Sequence, residues 1–228
     1  MRLITRWIDA RYRRPFVGAS ARRYAWAERP AFTDVDQRLL ADIHARHGTR
    51  LGQVRCVVDL GAGPGTTAAA AAAAWPAATV IAIEPSPDFA PVAGVDWRRA
   101  RAEALPIGDG EVDLVLSVSA IRHVADRAAA FAELRRVVRP GGLIVLAELD
   151  PDADPVRVHR HRDALRGWCT RRLFAPLVVG TAPARSEVLA EARAAGLALV
   201  GSRDDRDQPL YVLELARPDG GGAAEARS

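Results

Sequence analysis

Apolar and polar positions change their spacing in a regular order along the middle of the chain. Short apolar runs rich in β-branched residues alternate with stretches of helical spacing or strong helix formers. They predict strands at residues 54–60, 79–83, 112–118 and 143–146, and helices at residues 33–47, 66–74 and 128–138. Strands that alternate with helices pair in parallel and carry helices on both faces. The pattern therefore predicts an α/β, doubly wound sheet.

The two ends of the chain have a different pattern. Residues 2–14 have the spacing of an amphipathic helix and fall in an N-terminal helical arm, residues 1–50, which is expected to act as a lid. The main domain is expected to span residues 51–217, with a basic, proline-flanked lid or substrate segment at 151–185. A helix at 186–195 is followed by strands at 197–201 and 210–215, which a charged turn joins into an antiparallel hairpin. Small and polar residues predict a disordered tail at 218–228.

Composition excludes several protein classes. Hydrophobic residues make up 49% of the 228 residues, but none of the apolar runs approaches the roughly 20 residues of a membrane span. Two distant cysteines, Cys56 and Cys169, do not suggest a disulfide framework or a metal site, so a reduced, cytoplasmic setting is expected. All 32 basic residues are arginine, which together with the high alanine content indicates a GC-rich bacterial genome. The net charge of +4 does not demand a nucleic acid, but arginines crowd the arm and residues 157–172.

A glycine-rich turn follows the first predicted strand. Gly61, Gly63 and Gly65 precede a helix, so the backbone can approach a ligand closely and offer free N–H groups. The G-x-G-x-G spacing differs from the dinucleotide fingerprint, and Asp59 would repel a pyrophosphate but suits a cofactor that carries an ammonium and a sulfonium. Glu84 ends the next strand, where an acid accepts hydrogen bonds from a ribose diol. The turn therefore predicts an adenosyl cofactor other than NAD.

Further segments follow in a characteristic order. They are residues 57–66, 83–87, 102–106, 112–115 and 133–142. With them, the chain resembles the class I S-adenosylmethionine-dependent methyltransferases, in particular the ubiquinone/menaquinone-methylase-like group. The resemblance implies a Rossmann-like, mostly parallel seven-stranded sheet with an antiparallel C-terminal strand, and S-adenosylmethionine as the cofactor.

The resemblance also implies a set of cofactor-binding residues. One group faces the methionine end, a second holds the ribose and the adenine, and the last closes the pocket from the fourth strand. In that order they are Asp59, Gly61, Ala62 and Gly63; Glu84, Pro85, Ala102 and Glu103; and Ser117. Arg101 stands where the family often has an acid, so adenine recognition there is expected to rest on backbone groups.

Methyl transfer from a sulfonium mainly requires alignment of the donor methyl with the acceptor, and a base only where the acceptor loses a proton. His123 follows the fourth predicted strand, at the edge where such sheets bind ligands, and is the candidate catalytic base. The alternative is a histidine that hydrogen-bonds locally at a helix start. His159 and His161 could reach in from the later segment, but they lie among arginines and are expected on the surface. No metal site is expected.

The acceptor is expected to be a small molecule. In this family the arm and the segment after the fifth strand cover the acceptor pocket, and both are rich in arginine, so an anionic or amphiphilic acceptor is expected. Trp7, Tyr24, Trp26 and Trp168 are candidates for an aromatic lid, although the same residues could be core. Alternatives are an RNA- or protein-directed methyltransferase, although nucleic acid is the less expected partner, and contact of helix 2–14 with a membrane surface. The oligomeric state stays open.

Overall fold

The computed structural model describes residues 16–218 of the 228-residue chain. The predicted helix at 2–14, with Trp7, and nearly all of the predicted disordered tail lie outside the described residues. Within 16–218, no helix is long and apolar enough to cross a membrane.

A seven-stranded sheet organises the described residues. Its strands are β1 (Cys56–Leu60), β2 (Thr79–Ile83), β3 (Asp96–Arg98), β4 (Val112–Val118), β5 (Val138–Leu149), β6 (Ala198–Asp204) and β7 (Leu210–Ala216). They lie in the order β3-β2-β1-β4-β5-β7-β6. All pairs from β3 to β5 are parallel, and β7 pairs antiparallel with both β5 and β6. This confirms the predicted Rossmann-like, mostly parallel sheet with an antiparallel C-terminal strand.

Helices cover both faces of the sheet. They are α1 (Ala19–Arg23), α2 (Thr33–Leu51), α3 (Thr66–Ala74), α4 (Arg127–Val137), α5 (Pro155–Ala164), α6 (Trp168–Leu173) and α7 (Arg185–Ala194). Helices α2 and α3 pack on one face and share an apolar core with it, and α4 and α7 pack on the other. Because both faces are covered, every residue of β4 is buried, as parallel strands in such folds usually are.

Helical turns of other types extend two of these helices. Helix α1 continues through a π-helical turn, Tyr24–Glu28, and a 3₁₀ turn, Arg29–Phe32, directly into α2. Helix α6 similarly continues through the π-helical turn Phe174–Val178 and the 3₁₀ turn Val179–Thr181. These two segments, one before the sheet and one after β5, approach each other where the backbone N–H of Arg166 donates to the carbonyl of Ala27 at 3.0 Å.

Several predicted boundaries differ from the observed ones. Strand β5 begins at Val138, directly after α4, although residues 139–142 had the character of a helix-ending turn. The extended backbone is held there because Val138 pairs with Val112, and because Arg139 Nε donates to Asp113 Oδ1 at 2.6 Å. Neither α2 nor α7 begins with a side-chain cap: α2 continues from a 3₁₀ turn, and α7 begins after Ala184. Helix α2 also runs through Gly48 to Leu51.

Candidate functional site

A cavity of about 720 Å³, its open mouth included, lies at the carboxyl ends of β1, β2 and β4. In open α/β sheets this edge is the usual place for a ligand. The cavity brings together seven of the residues expected from the sequence. They are Gly61, Gly63, Glu84, Pro85, Ala102, Glu103 and His123. Residues far apart in the sequence therefore meet around one space.

The glycine turn forms the floor of this cavity. The N–H groups of Gly61 and Ala62 both donate to the carbonyl of Ile83, at 2.8 and 3.1 Å, which fixes the turn against the end of β2. Gly61 has a φ of 73°, and a Cβ built on it would lie 2.4 Å from the Cβ of Ala120. Only glycine combines this conformation with this close approach. Ala62 itself is buried on the side of α2 and α3 and does not line the cavity.

Glu84 connects the glycine turn to the loop after β2. Its Oε2 accepts the N–H of Gly63 at 2.8 Å, and its Oε1 accepts the N–H of Ser86 at 2.7 Å. Burial raises the pKa of Glu84, and the two N–H groups oppose that rise. A carboxylate offers about four acceptor positions. Glu84 therefore has capacity left for two hydroxyl groups of a ligand in the cavity.

Glu103 connects the segment after β3 to the loop after β4. Its Oε1 accepts the N–H groups of Ala125 and Asp126 at 3.1 and 3.2 Å. Its other oxygen lies 3.6 Å from Nε of Arg101, the residue that departs from the family pattern. Because the Glu103 carboxylate is occupied in this way, the backbone of Ala102 and Glu103 is the better candidate for contact with a ligand.

Asp59 and Ser117 do not line the cavity. Side chains alternate between the faces of a strand, so a residue near the end of β1 or β4 can point into a helix layer instead of toward the ligand edge. Asp59 is only 2% exposed and lies near Arg29 and Asp36. Ser117 is buried, and Ser119, two residues later, lines the cavity instead. Ser119 has a φ of 52°, an unusual conformation for a non-glycine residue and one that concentrates at functional sites.

A buried polar cluster lies behind the glycine turn. Nη2 of Arg29 is 2.5 Å from Asp36 Oδ2 and donates to Thr67 Oγ1 at 3.1 Å, and the Thr67 hydroxyl donates to Asp36 Oδ1 at 2.9 Å. Burial raises the pKa of Asp59 to about 7, the nearby Asp36 adds to the rise, and Arg29 opposes it. Sequence reasoning missed Arg29, because nothing distinguishes it from the many other arginines of the arm.

A second, smaller chamber of about 340 Å³ adjoins the first. Phe16, Tyr24, Ser119 and His123 line both spaces, so they form the boundary between them. The Phe16 ring stacks on Tyr24 at a centroid distance of 4.8 Å and meets the His123 ring edge-on at 4.9 Å. The candidate base predicted from the sequence thus stands between the two chambers.

The remaining walls of the second chamber come from the arm and from the segment after β5. They include Glu28, Phe32, Arg122, Leu149, His161, Phe174 and Val178. His161 was expected on the surface, and this expectation was wrong: the side chain is fully buried, since α5 turns it inward against Phe32 and Phe174. His159, two residues earlier on the same helix, is exposed as expected.

Three of the six arginines within residues 157–172 pair with acids at the surface. Arg157 contacts Asp204 at 3.0 Å, Arg160 contacts Asp207 at 3.2 Å, and Arg162 contacts its neighbour Asp163. These three arginines do not line either chamber.

The expected aromatic lid is present only in part. Tyr24 lines both chambers, whereas Trp26 and Trp168 are 56% and 75% exposed and line neither. Among residues 16–218, no group of three or more histidine, cysteine, aspartate or glutamate side chains is placed to hold a metal ion.

Comparisons with known proteins agree with this geometry. A family model described as a methyltransferase domain matches residues 58–146. Malonyl-acyl-carrier-protein O-methyltransferase of Xylella fastidiosa is 32% identical over 52% of this chain and 42% of its own length. Trans-aconitate 2-methyltransferase of Azoarcus is 31% identical over 64% of this chain and 60% of its own. The chain spans 30% to 60% of the length of the curated relatives it matches.

Solved structures agree on the fold. The cyclase SpnF superposes with a TM-score of 0.58 at 19% identity, over 80% of this chain and 81% of its own. A geranyl diphosphate methyltransferase in complex with its substrate and sinefungin also has a TM-score of 0.58, at 16% identity, over 81% of this chain and 78% of its own. The sequence matches, the sheet order and the glycine turn agree: residues 58–146 match the methyltransferase-domain family, and the chain has the fold of class I S-adenosylmethionine-dependent methyltransferases.

Proposed function

We propose that this protein transfers a methyl group from S-adenosylmethionine to a small-molecule acceptor, with the donor in the first cavity and the acceptor in the second chamber. The observation that carries the proposal is the shared boundary of the two spaces. A donor over the glycine turn and an acceptor beside Phe32 and Phe174 would meet at His123 and Ser119. Methyl transfer needs this kind of alignment more than any other contribution from the protein.

The donor site has the features that an adenosyl cofactor requires. The backbone at Gly61 and Gly63 is open to the cavity, so the methionine part can approach it closely. Glu84 would accept the ribose hydroxyls, and Pro85 and the backbone of Ala102 and Glu103 would flank the adenine. Asp59, Ala62 and Ser117 would support the site from behind, since they lie outside the lining.

When bound, S-adenosylmethionine supplies a methyl group on a positively charged sulfur. The chain's own contribution is to hold the acceptor in line with it and to exclude water. His123 would accept a hydrogen bond from the hydroxyl or amine of the acceptor. It would then take up that proton as the bond to the methyl carbon forms. The stacked rings of Phe16 and Tyr24 would keep the acceptor on its own side of the boundary.

The acceptor is proposed to be a neutral small molecule, in contrast to the anionic one expected from the arginine clusters. Arg157 and Arg160 are paired with acids, as described above. Around the second chamber, the guanidinium of Arg122 stands against two acids, the half-buried Glu28 and the buried Glu148. Among residues 16–218, the walls of this chamber therefore offer an anion no excess of positive charge. The two named relatives support a small or carrier-attached acceptor, although neither identifies it for this chain.

Ligand-induced stabilisation tests the donor site. S-adenosylhomocysteine at a hundred times its Kd should stabilise the protein by about 2.7 kcal/mol, seen as a rise in Tm of a few degrees. Glu84→Ala should reduce this rise, and the matched control Glu111→Ala, at an exposed acid near the start of β4, should not. Stabilisation by NAD alone would contradict the proposal. Salt-sensitive binding of RNA would instead favour an RNA-directed methyltransferase.

A further inference from the structure

We propose that the second chamber selects a neutral, flat and largely apolar molecule that carries a hydroxyl or amino group, and that His161 recognises this group by accepting a hydrogen bond at Nε2. The inference rests on the proposed function only in taking this molecule to be the methyl acceptor. It assigns a specificity-determining residue within residues 151–185, which the sequence indicated only as a basic lid or substrate segment.

The hydrogen-bonding state of His161 is determined by Gln208. The Gln208 side-chain nitrogen donates to the carbonyl of Ala31 at 3.3 Å, so its oxygen is the atom that faces the imidazole. That oxygen lies 2.5 Å from His161 Nδ1. Two acceptors do not meet at this distance, so Nδ1 carries the hydrogen and donates it. In this tautomer Nε2 has a lone pair and no hydrogen.

Nε2 has no hydrogen-bond partner within the described part of the protein, although the side chain is fully buried. Buried polar atoms are nearly always paired, and exceptions call for a ligand, a water or another specific role. The ring lines the second chamber, where it is stacked on Phe174 and edge-on to Phe32, each at a centroid distance of 4.6 Å. A ligand in that chamber is the natural partner for Nε2.

Burial also keeps the imidazole neutral. Removal from water lowers the pKa of His161 to about 4, and the hydrogen bond with Gln208 opposes this only in part. At neutral pH the ring therefore cannot offer Nε2–H to a carboxylate or a phosphate. It can only accept, so the ligand must bring the hydrogen.

The other walls of the chamber fit the same kind of ligand. Phe32, Leu149, Phe174 and Val178 are apolar, and the half-buried carboxyl of Glu28 is a second acceptor. A flat aromatic molecule with one donor group matches these walls better than a charged or branched one.

Matched probes separate the hydrogen bond from simple apolar binding. With S-adenosylhomocysteine present, 2-naphthol should bind the wild-type protein about tenfold more tightly than 2-methoxynaphthalene, which lacks the hydrogen. His161→Phe keeps an aromatic ring but removes the acceptor, so it should abolish the preference and leave affinity for the ether within about twofold. His159→Phe, at the exposed histidine of the same helix, should behave as wild type. Titration calorimetry measures all of these affinities.

A second variant reverses the recognition. In Gln208→Glu the new carboxylate favours a protonated imidazole, whose Nε2 then donates. This variant should prefer 2-naphthoate to 2-naphthol, the opposite of wild type. Nitrogen NMR of the wild-type protein at pH 7 provides a readout that needs no substitution: Nε2 of His161 should be the unprotonated nitrogen and should shift when 2-naphthol is added.

The outcomes distinguish this inference from the proposed function. If S-adenosylhomocysteine binds but wild type and His161→Phe have the same preference between the probes, the inference fails and the methyltransferase proposal stands. If the preference is observed without S-adenosylhomocysteine binding, the proposed function fails and the recognition by His161 stands. A hydrogen on Nε2, a wild-type preference for 2-naphthoate, or no binding of 2-naphthol overturns the inference.

Discussion

Replacing Asp59 with asparagine should make the protein more stable at pH 8. Asp59 is 2% exposed, and its Oδ2 has no hydrogen-bond partner among the described residues. Arg29, the nearest source of positive charge, is already paired with Asp36 at 2.5 Å. Ionised Asp59 is therefore a buried charge that only a backbone hydrogen bond from Ala68 and the already paired Arg29 compensate, and asparagine keeps the shape of the side chain without the charge.

The pKa of Asp59 gives the magnitude. It is about 7 in the folded protein, against an ordinary value of 3.8. Between these values the folded state holds the proton more tightly than the unfolded state, so stability falls as pH rises through this window and is level above it. A difference of about three pH units corresponds to about 4 kcal/mol at pH 8, and to little at pH 4.

Urea unfolding of wild type and Asp59→Asn between pH 4 and pH 8 provides the assay. The variant should gain stability over wild type steadily up to about pH 7, with no further gain above it. Asp163→Asn, at an exposed acid on α5, is the control and should follow wild type. Stability curves that stay parallel for wild type and Asp59→Asn across this range would refute the reasoning, because they would mean that Asp59 titrates alike in the folded and unfolded states.

Three further predictions concern Gly61 in the glycine turn, Glu84 at the end of β2 and Asp113 in β4. Gly61→Ala should lower the free energy of unfolding by roughly 1–3 kcal/mol more than Gly94→Ala, because both have positive φ but only at Gly61 does a Cβ meet a neighbouring carbon at 2.4 Å; equal losses would exclude the clash. Glu84→Gln should weaken S-adenosylhomocysteine binding about tenfold by calorimetry, since hydrogen bonds to a charged group are the stronger ones, and an unchanged Kd would remove Glu84 from the site. Asp113→Asn should cost about 2 kcal/mol at pH 7, because the carboxylate accepts from Arg139 and from two backbone N–H groups. The low folded-state pKa of Asp113 means that this cost should shrink as pH falls below about 4, and a constant cost would contradict the assignment.

The elements that the sequence predicted well are those whose signal is local. The strands at 79–83 and 112–118 and the helix at 66–74 are observed at their predicted bounds, because a continuous apolar run or an alanine-rich stretch specifies each one. Strand β3 was missed: it has three partly exposed residues and depends on pairing with β2. The long strand β5 was truncated in prediction because its first residues are held by β4, which is far away in sequence.

The same distinction applies to the site. The location of the glycine turn and Glu84 at the cavity could be predicted because both belong to a short sequence motif. Arg29 and His161 could not, since their roles depend on partners brought together by the fold: Asp36 and Thr67 for the first, Gln208 for the second. Residues two positions apart in a strand point to the same face, so the sequence alone does not choose between Ser117 and Ser119 as the residue near the ligand. The position at which β4 ends decides between them.

The position of β7 has a consequence for how the chain is made. This strand lies between β5 and β6, yet it is the last strand within residues 16–218. During synthesis, β1 to β5 can pair before residues 210–216 have left the ribosome, but one side of β5 then has only open backbone groups. Exposed strand edges are sites of aggregation. A nascent chain, or one truncated before Leu210, should therefore be especially prone to misassembly, even though every residue of the glycine turn is already in place.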